Sequence, residues 1–300
     1  MPILESQLST WSHQGSITNS SSTYESIKNC IDSINWNADV NYEIYLQGSY
    51  KNSTNIYGNS DVDIVVEFTS IFSSDTTRLD EVGKAVHDSL DDAKYALQSF
   101  KDVIVKQLED NYKGQVKVGA KSIKIKGNTS RLDTDVVVCN SYKSYLANNG
   151  FKYLSAVKGI TFLNTETGVR IINYPKIHYD NGVEKNANVR TASNYKSTVR
   201  IFRNIKAYLV DNGLIDSSTA PSYFVECLIY NANDSCFQES SCQSRVYRVL
   251  KQLTDDLKNN SINEYVCQNQ QIKLFGTTNQ QWNVNDAKLF LAAILKLWKN

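Results

Sequence analysis

No stretch of the chain approaches the ~20 consecutive apolar residues that a membrane-spanning helix needs, so a membrane span is not expected. The N-terminal run MPILESQLSTWSHQGSITNSSS lacks the basic segment and apolar stretch of a secretion signal. Charge of one sign is lacking as well. With 32 Lys and Arg against 31 Asp and Glu, the net charge is +1, and no broad field favours a long nucleic-acid partner. A small charged ligand held by a local cluster suits that balance better. The six cysteines (Cys30, Cys139, Cys227, Cys236, Cys242 and Cys267) show neither Cys-x-x-Cys spacing nor a nearby histidine pair. This argues against a zinc site and for reduced thiols in a cytoplasmic protein. Proline is scarce at three residues, there is no internal repeat or low-complexity linker, and 41% hydrophobic residues suit a soluble globular chain.

The apolar periodicity divides the chain into a mixed α/β half and an all-helical half. A helix is expected over 23–34, with Tyr24, Ile27, Ile31 and Ile34 on one face. The strand YEIYLQ, a polar loop and the strand DVDIVVEF follow. From Thr76 to Tyr112, residues such as Leu79, Val82, Val86, Ala93, Phe100, Ile104 and Leu108 recur at steps of three and four. They predict a long amphipathic helix, in one or two pieces, stopped by Gly114. Short strands are expected in QVKVGAKSIKIKG and RLDTDVVVC, then a hairpin in GITFLNTETGVRIINYP turning at Glu166-Thr167-Gly168. Beyond Asn186 no strand is expected. Helices are predicted over 194–212, 221–231 with Pro221 at the first helical position, 241–259 and 284–298. The terminal AKLFLAAILKLW reads as a core-packing helix, because its polar face is not strongly basic.

The stretch LQGSYKNSTNIYGNSDVDIVVEF concentrates the chemistry. Aspartate weakens strands and is rarely buried alone, yet Asp61 and Asp63 flank Val62 at the head of an apolar strand. Alternate residues share a strand face, so the two carboxylates suit a pair of divalent ions in a phosphoryl-transfer site. RLDTDVVVC repeats the pattern with Asp133 and Asp135, and pairing of the two strands adds a third carboxylate. Like charges so close require a cation. Magnesium, two ions with manganese as substitute, is the simplest. Gly48 lets backbone approach a ligand closely, and the Ser49 hydroxyl suits phosphate oxygens. A Walker-type loop is rejected, because no Gly-Lys-Ser/Thr and no immediate helix follow. Ser222, behind Pro221, stands at a helix N-terminus suited either to an anion or to a simple cap. His13, His87 and His178 are widely separated and are given surface or structural roles.

GSYKNSTNIYGNSDVDIVV resembles the G-S…G-x-S-D-x-D signature of the polymerase-β-like nucleotidyltransferases. With RLDTDVVVC, INYPKIHYDNG and APSYFVECLIYN, it most resembles the bacterial CD-NTases over roughly residues 5 to 300. These are relatives of cyclic GMP-AMP synthase and oligoadenylate synthetase that make cyclic nucleotide signals in anti-phage (CBASS) defence. The resemblance implies an α+β fold: a polymerase-β-like lobe with a mixed sheet over 1–185, a helical lobe over 186–300, and an active site in the cleft between them. It makes Asp61 and Asp63 metal ligands and Asp135 the third acid, with Asp133 in reserve. Lys196, Arg200 and Arg203 form a basic stripe on the helix from Asn194. The resemblance assigns a triphosphate contact to Arg203, with Arg200 second; the family often has Lys there. Gly48, Ser49, Arg203 and Ser222 would then hold an NTP. The implied substrates are ATP and any of GTP, UTP or CTP, and the implied partner is an effector activated by the cyclic product. The rival readings are transfer of a nucleotide to a protein, tRNA or small molecule, and an inactive nucleotide sensor.

Overall fold

The computed structural model describes residues 3–15, 17–58, 61–90 and 95–299. Ala93, expected on the long helix, and Asn59 and Ser60 of the polar loop lie outside the described residues.

The first helix, α1 (Glu5–Ser12), buries a single apolar side chain, Leu8, and has too little apolar pattern to be read from sequence. Helix α2 (Thr18–Asp32) buries Ile27, Cys30 and Ile31 and begins five residues before the expected start at residue 23. Strand β1 (Tyr42–Gln47) leads into a short helix α3 (Gly48–Asn52), where the sequence suggests only a loop. Strand β2 (Val62–Asp75) runs well past Phe68, with a register shift between Phe68 and Phe72. The predicted long helix is two pieces, α4 (Glu81–Asp88) and α5 (Leu97–Asn111). Asp80 caps the first, its carboxylate accepting from the Gly83 amide at 2.9 Å.

Strands β3 (Val116–Val118), β4 (Ile123–Ile125) and β5 (Thr134–Tyr145) come next. The hairpin is β6 (Ala156–Leu163) and β7 (Arg170–Asn173), joined through Gly168 at φ +67°. The remaining helices are α6 (Pro175–Lys185), α7 (Asn188–Thr191), α8 (Tyr195–Asp211), α9 (Ser222–Tyr230), α10 (Cys242–Lys258) and α11 (Val284–Lys299). Pro221 precedes α9 as its N-cap rather than standing at its first helical position.

The chain forms two compact units. One comprises Ile17–Gln47 and Asp61–Pro175, and its seven-stranded sheet has the order β1-β2-β5-β4-β3, with β6 beside β5 and β7 beside β6. The β2–β5 pair is parallel and the other ladders are antiparallel, which makes the sheet mixed. Val65, Val137, Cys139, Ile160 and Phe162 cluster together in its core. The flanking Ile64, Val66, Val136 and Val138 are buried too. Burial on both faces explains the unbroken IVV and VVV runs.

The other unit comprises Met1–Ser16, Gly48–Ser60 and Lys176–Asn300. Val199, Phe202, Ile205 and Leu209 of α8 are buried in one core with Phe224 and Leu228 of α9 and Val246 of α10. Phe290, Leu291 and Ile294 of α11 join them, so AKLFLAAILKLW packs into a core. Among the described residues no helix is long and apolar enough to cross a membrane. All six cysteines are buried thiols outside any disulfide.

Candidate active site

The β2–β5 ladder pairs Val62 with Thr134 and Asp63 with Asp135, and the Val62 amide donates to the Asp133 carbonyl at 2.9 Å. Asp61 immediately precedes the strand. Acids from two distant segments therefore meet at the head of the parallel pair, with directly opposite residues on the same sheet face. Their proximity registers in Asp61. Burial first, then the charges of Asp135 and Asp133, raise its pKa above the usual carboxylate value, and Lys124 opposes them.

Asp133 and Asp135 have different surroundings. Asp133 is exposed and accepts from the Gly127 amide at 2.5 Å, which ties it to the turn before β5. Asp135 is half-buried. Its Oδ1 accepts from the Ser122 hydroxyl at 3.1 Å and lies 3.8 Å from the Lys124 ammonium, while Oδ2 has no hydrogen bond among the described residues. Among the described residues no group of three His, Cys, Asp or Glu side chains is arranged to hold a metal ion alone.

Gly48 follows Gln47, the residue opposite Asp63 in the β1–β2 ladder. It adopts φ +64°, a left-handed conformation that a side chain disfavours. The loop beyond it is held through its backbone. The Ser49 carbonyl accepts from the Thr54 amide at 2.9 Å. Arg200 donates to the carbonyls of Ser12 at 2.6 Å and Ser53 at 2.5 Å, and Arg203 donates to the Thr54 carbonyl at 2.7 Å. Arg203 is only 5% exposed, and so is a buried tether of this loop rather than part of a solvated stripe. The Thr54 hydroxyl donates at 3.0 Å to Glu226 Oε2, and His178 Nε2 lies 3.1 Å from Oε1.

Glu226 is therefore the hub of a buried polar cluster. Burial alone would raise its pKa, but the hydrogen bond and charge of His178, then Arg203 and Thr54, bring it below the usual range. His178 stacks on Tyr223 at 5.1 Å between ring centroids, a structural position on the unforeseen helix α6. His87 contacts Ser74 and Asp88, and His13 is exposed.

Two further cations come together at one ring. The ammonium groups of Lys51 and Lys196 lie 4.5 and 5.4 Å from the Tyr179 centroid. Burial lowers the Lys196 pKa; Glu226 opposes the shift, and Arg200 and Lys51 add to it. Lys51, Tyr179, Ser122, Lys124, Thr54 and Glu226 are not identified by sequence reasoning; only KSIKIK, alternating basic and apolar beside an acidic strand, hints at any of them. Ser222 is exposed at the first position of α9, and its hydroxyl makes no hydrogen bond among the described residues, so it is not a cap.

Residues 180–299 match the family model of the cGAS/DncV-like nucleotidyltransferase C-terminal helical domain. A cyclic UMP-AMP synthase from Rhodothermus marinus is 38% identical, over 99% of this chain and 98% of its own. The cyclic nucleotide synthase CdnE01 of Staphylococcus haemolyticus is 40% identical, over 85% of this chain and 84% of its own. Among solved structures, the R. marinus CdnE c-UMP-AMP synthase with Apcpp and Upnpp gives a TM-score of 0.88 at 38% identity, covering 99% and 97% of the two chains. The Elizabethkingia meningoseptica CdnE with GTP and Apcpp gives 0.77 at 27% identity, covering 99% and 98%. A fold and a sequence that agree over nearly the whole length lead to one conclusion: this chain belongs to the CD-NTase family and is a nucleotidyltransferase of the cyclic nucleotide synthase class.

Proposed function

We propose that the protein joins ATP, with itself or with GTP, UTP or CTP, into a cyclic di- or oligonucleotide with release of pyrophosphate. Asp61, Asp63 and Asp135 hold two magnesium ions, with manganese as substitute, which neutralise the triphosphate and favour ionisation of the attacking hydroxyl. Gly48 and Ser49 take phosphate oxygens, and Ser222 offers a free hydroxyl at a helix N-terminus. Arg203 acts on the same phosphates through the loop it holds at Thr54. Lys51 and Lys196 supply the positive charge that an anion relieves.

Asp135, fixed by one oxygen, orients the ribose hydroxyl of the second nucleotide. That oxygen attacks the α-phosphorus, the new P–O bond forms, and the bond to pyrophosphate breaks. A second such transfer closes the ring. Positioning and charge neutralisation carry the rate. The product then acts as a messenger on an effector that it activates, in the manner of anti-phage signalling.

The observation that supports this reading best is the register of Asp63 on Asp135 with Asp61 beside them. Incubation with the four labelled NTPs and magnesium or manganese, followed by phosphatase, tests it. Phosphatase-resistant small products are expected. Label on a macromolecule instead, or no turnover at all, would reject the cyclase reading in favour of transfer or of sensing.

A further inference from the structure

The strand order aligns five residues directly opposite one another across the sheet: Gln47, Asp63, Asp135, Lys124 and Lys117. Neighbours in such a line are about 4.8 Å apart between strands and share one face. Two acids are thus followed by two lysines. Like charges directly opposite, as at Lys117 and Lys124, destabilise a ladder. The Lys124 ammonium turns toward the acids, 3.8 Å from Asp135 Oδ1. It does so from a side chain that is 61% exposed, on a flexible stem that leaves easily.

We infer that Lys124 is a stand-in cation: its ammonium neutralises Asp135 in the metal-free protein and yields that place when a divalent ion arrives. The inference rests on the reading of Asp61, Asp63 and Asp135 as the metal-holding acids. Ser122 keeps its bond to Oδ1 throughout, so the carboxylate stays aimed while its counter-ion changes. An ammonium beside the acids also weakens their hold on metal before a nucleotide brings its own phosphates. Lys124 is thereby a positioning and gating residue, with a measurable effect that precedes any chemistry.

The test is titration of the full-length protein with Mn2+ alone, without nucleotide, read by electron paramagnetic resonance of the free ion. For an exposed charge at this distance, removal of Lys124 is expected to tighten Mn2+ binding about three- to tenfold. Lys124→Met should show that gain and Lys124→Arg should stay near wild type; Lys124→Gln replaces the Met variant if that chain does not fold. Asp63→Asn should bind poorly. Equal or weaker Mn2+ affinity in the Lys124→Met or Gln protein overturns the inference while leaving the metal site intact. Failure of both the wild type and the Lys124→Met or Gln protein to bind Mn2+, or undiminished binding by Asp63→Asn, overturns the metal site itself and the inference with it.

Discussion

Asp63 of β2 stands directly opposite Asp135 of β5 in a parallel ladder. Opposed like charges cost a sheet stability, so this pair is kept for something other than the fold. Asp63→Asn and Asp135→Asn are each expected to lower product formation by about a thousandfold or more, the scale on which preorganised charge acts. Both variants should keep the wild-type circular dichroism spectrum and a cooperative melt. Turnover near wild type in either would remove that residue from the reacting centre.

Asp61 gives the site a pH dependence with a definite sign. Burial and its acidic neighbours raise its folded pKa above the unfolded value. Between those two values the folded state binds more protons, so stability falls as pH rises and the full cost persists above the folded pKa. Asp61→Asn should therefore melt higher than wild type at pH 7, the difference shrinking as pH falls toward the unfolded carboxylate range. Saturating magnesium should stabilise wild type at pH 7 and progressively less on acidification. Thermal melts from pH 4 to 8, with and without magnesium, measure both effects.

What the sequence reveals follows from what carries each segment's burial. Val199, Phe202, Ile205 and Leu209 give α8 an apolar stripe, and the helix lies one residue inside its predicted limits at each end. Helix α6 gives no such signal, because its buried residues are His178, Gly182 and Lys185. Gly182 leaves room for Gln268, whose amide end a Cβ there would overlap. Lys185 is buried because it donates to the Ala232 carbonyl at 2.8 Å and to Asp234 at 2.9 Å. The acids are legible for a similar reason. Aspartates alternating at the head of a valine run conflict with the strand they begin, which singles them out in the sequence, and the ladder sets Asp63 opposite Asp135. The grip on Ser53 and Thr54 is not legible, since Arg200 and Arg203 hold carbonyls, which every residue has.

Glu226 tests that grip. Its carboxylate accepts from Thr54 and pairs with His178 in a fully buried setting, and its folded pKa lies below the unfolded one. The stabilisation it provides is present above the unfolded pKa and is lost as pH falls through the folded value. Removing one member of such a cluster costs about 3–5 kcal/mol. Glu226→Ala is expected to approach that loss in chemical denaturation at pH 7. Glu226→Gln should lose less and melt with a weaker acid dependence than wild type. On the proposed reading the loop positions phosphate rather than reacting, so loosening Thr54 should also raise KM for NTP more than it lowers kcat. A Gln variant with wild-type stability and kinetics would show that the cluster does not support the loop.

Lys196 sets stability against binding in the same unit. Burial lowers its pKa, and the nearby Arg200 and Lys51 add repulsion that Glu226 only partly offsets. A cation is disfavoured in those surroundings, and on the proposed reading the triphosphate offsets that cost. Lys196→Met preserves the length of the stem that reaches Tyr179 while removing the charge. The variant should melt at or above the wild-type temperature, yet bind a non-hydrolysable ATP analogue about tenfold more weakly, the scale of one charge-assisted contact. The loss should also shrink as salt rises, since screening weakens the missing attraction in the wild type. Isothermal titration at low and high salt, paired with melts of the free proteins, separates the outcomes. Weaker binding with a lower melting temperature would make Lys196 a structural cation. Unchanged binding would move the triphosphate away from the Lys51–Lys196 pair.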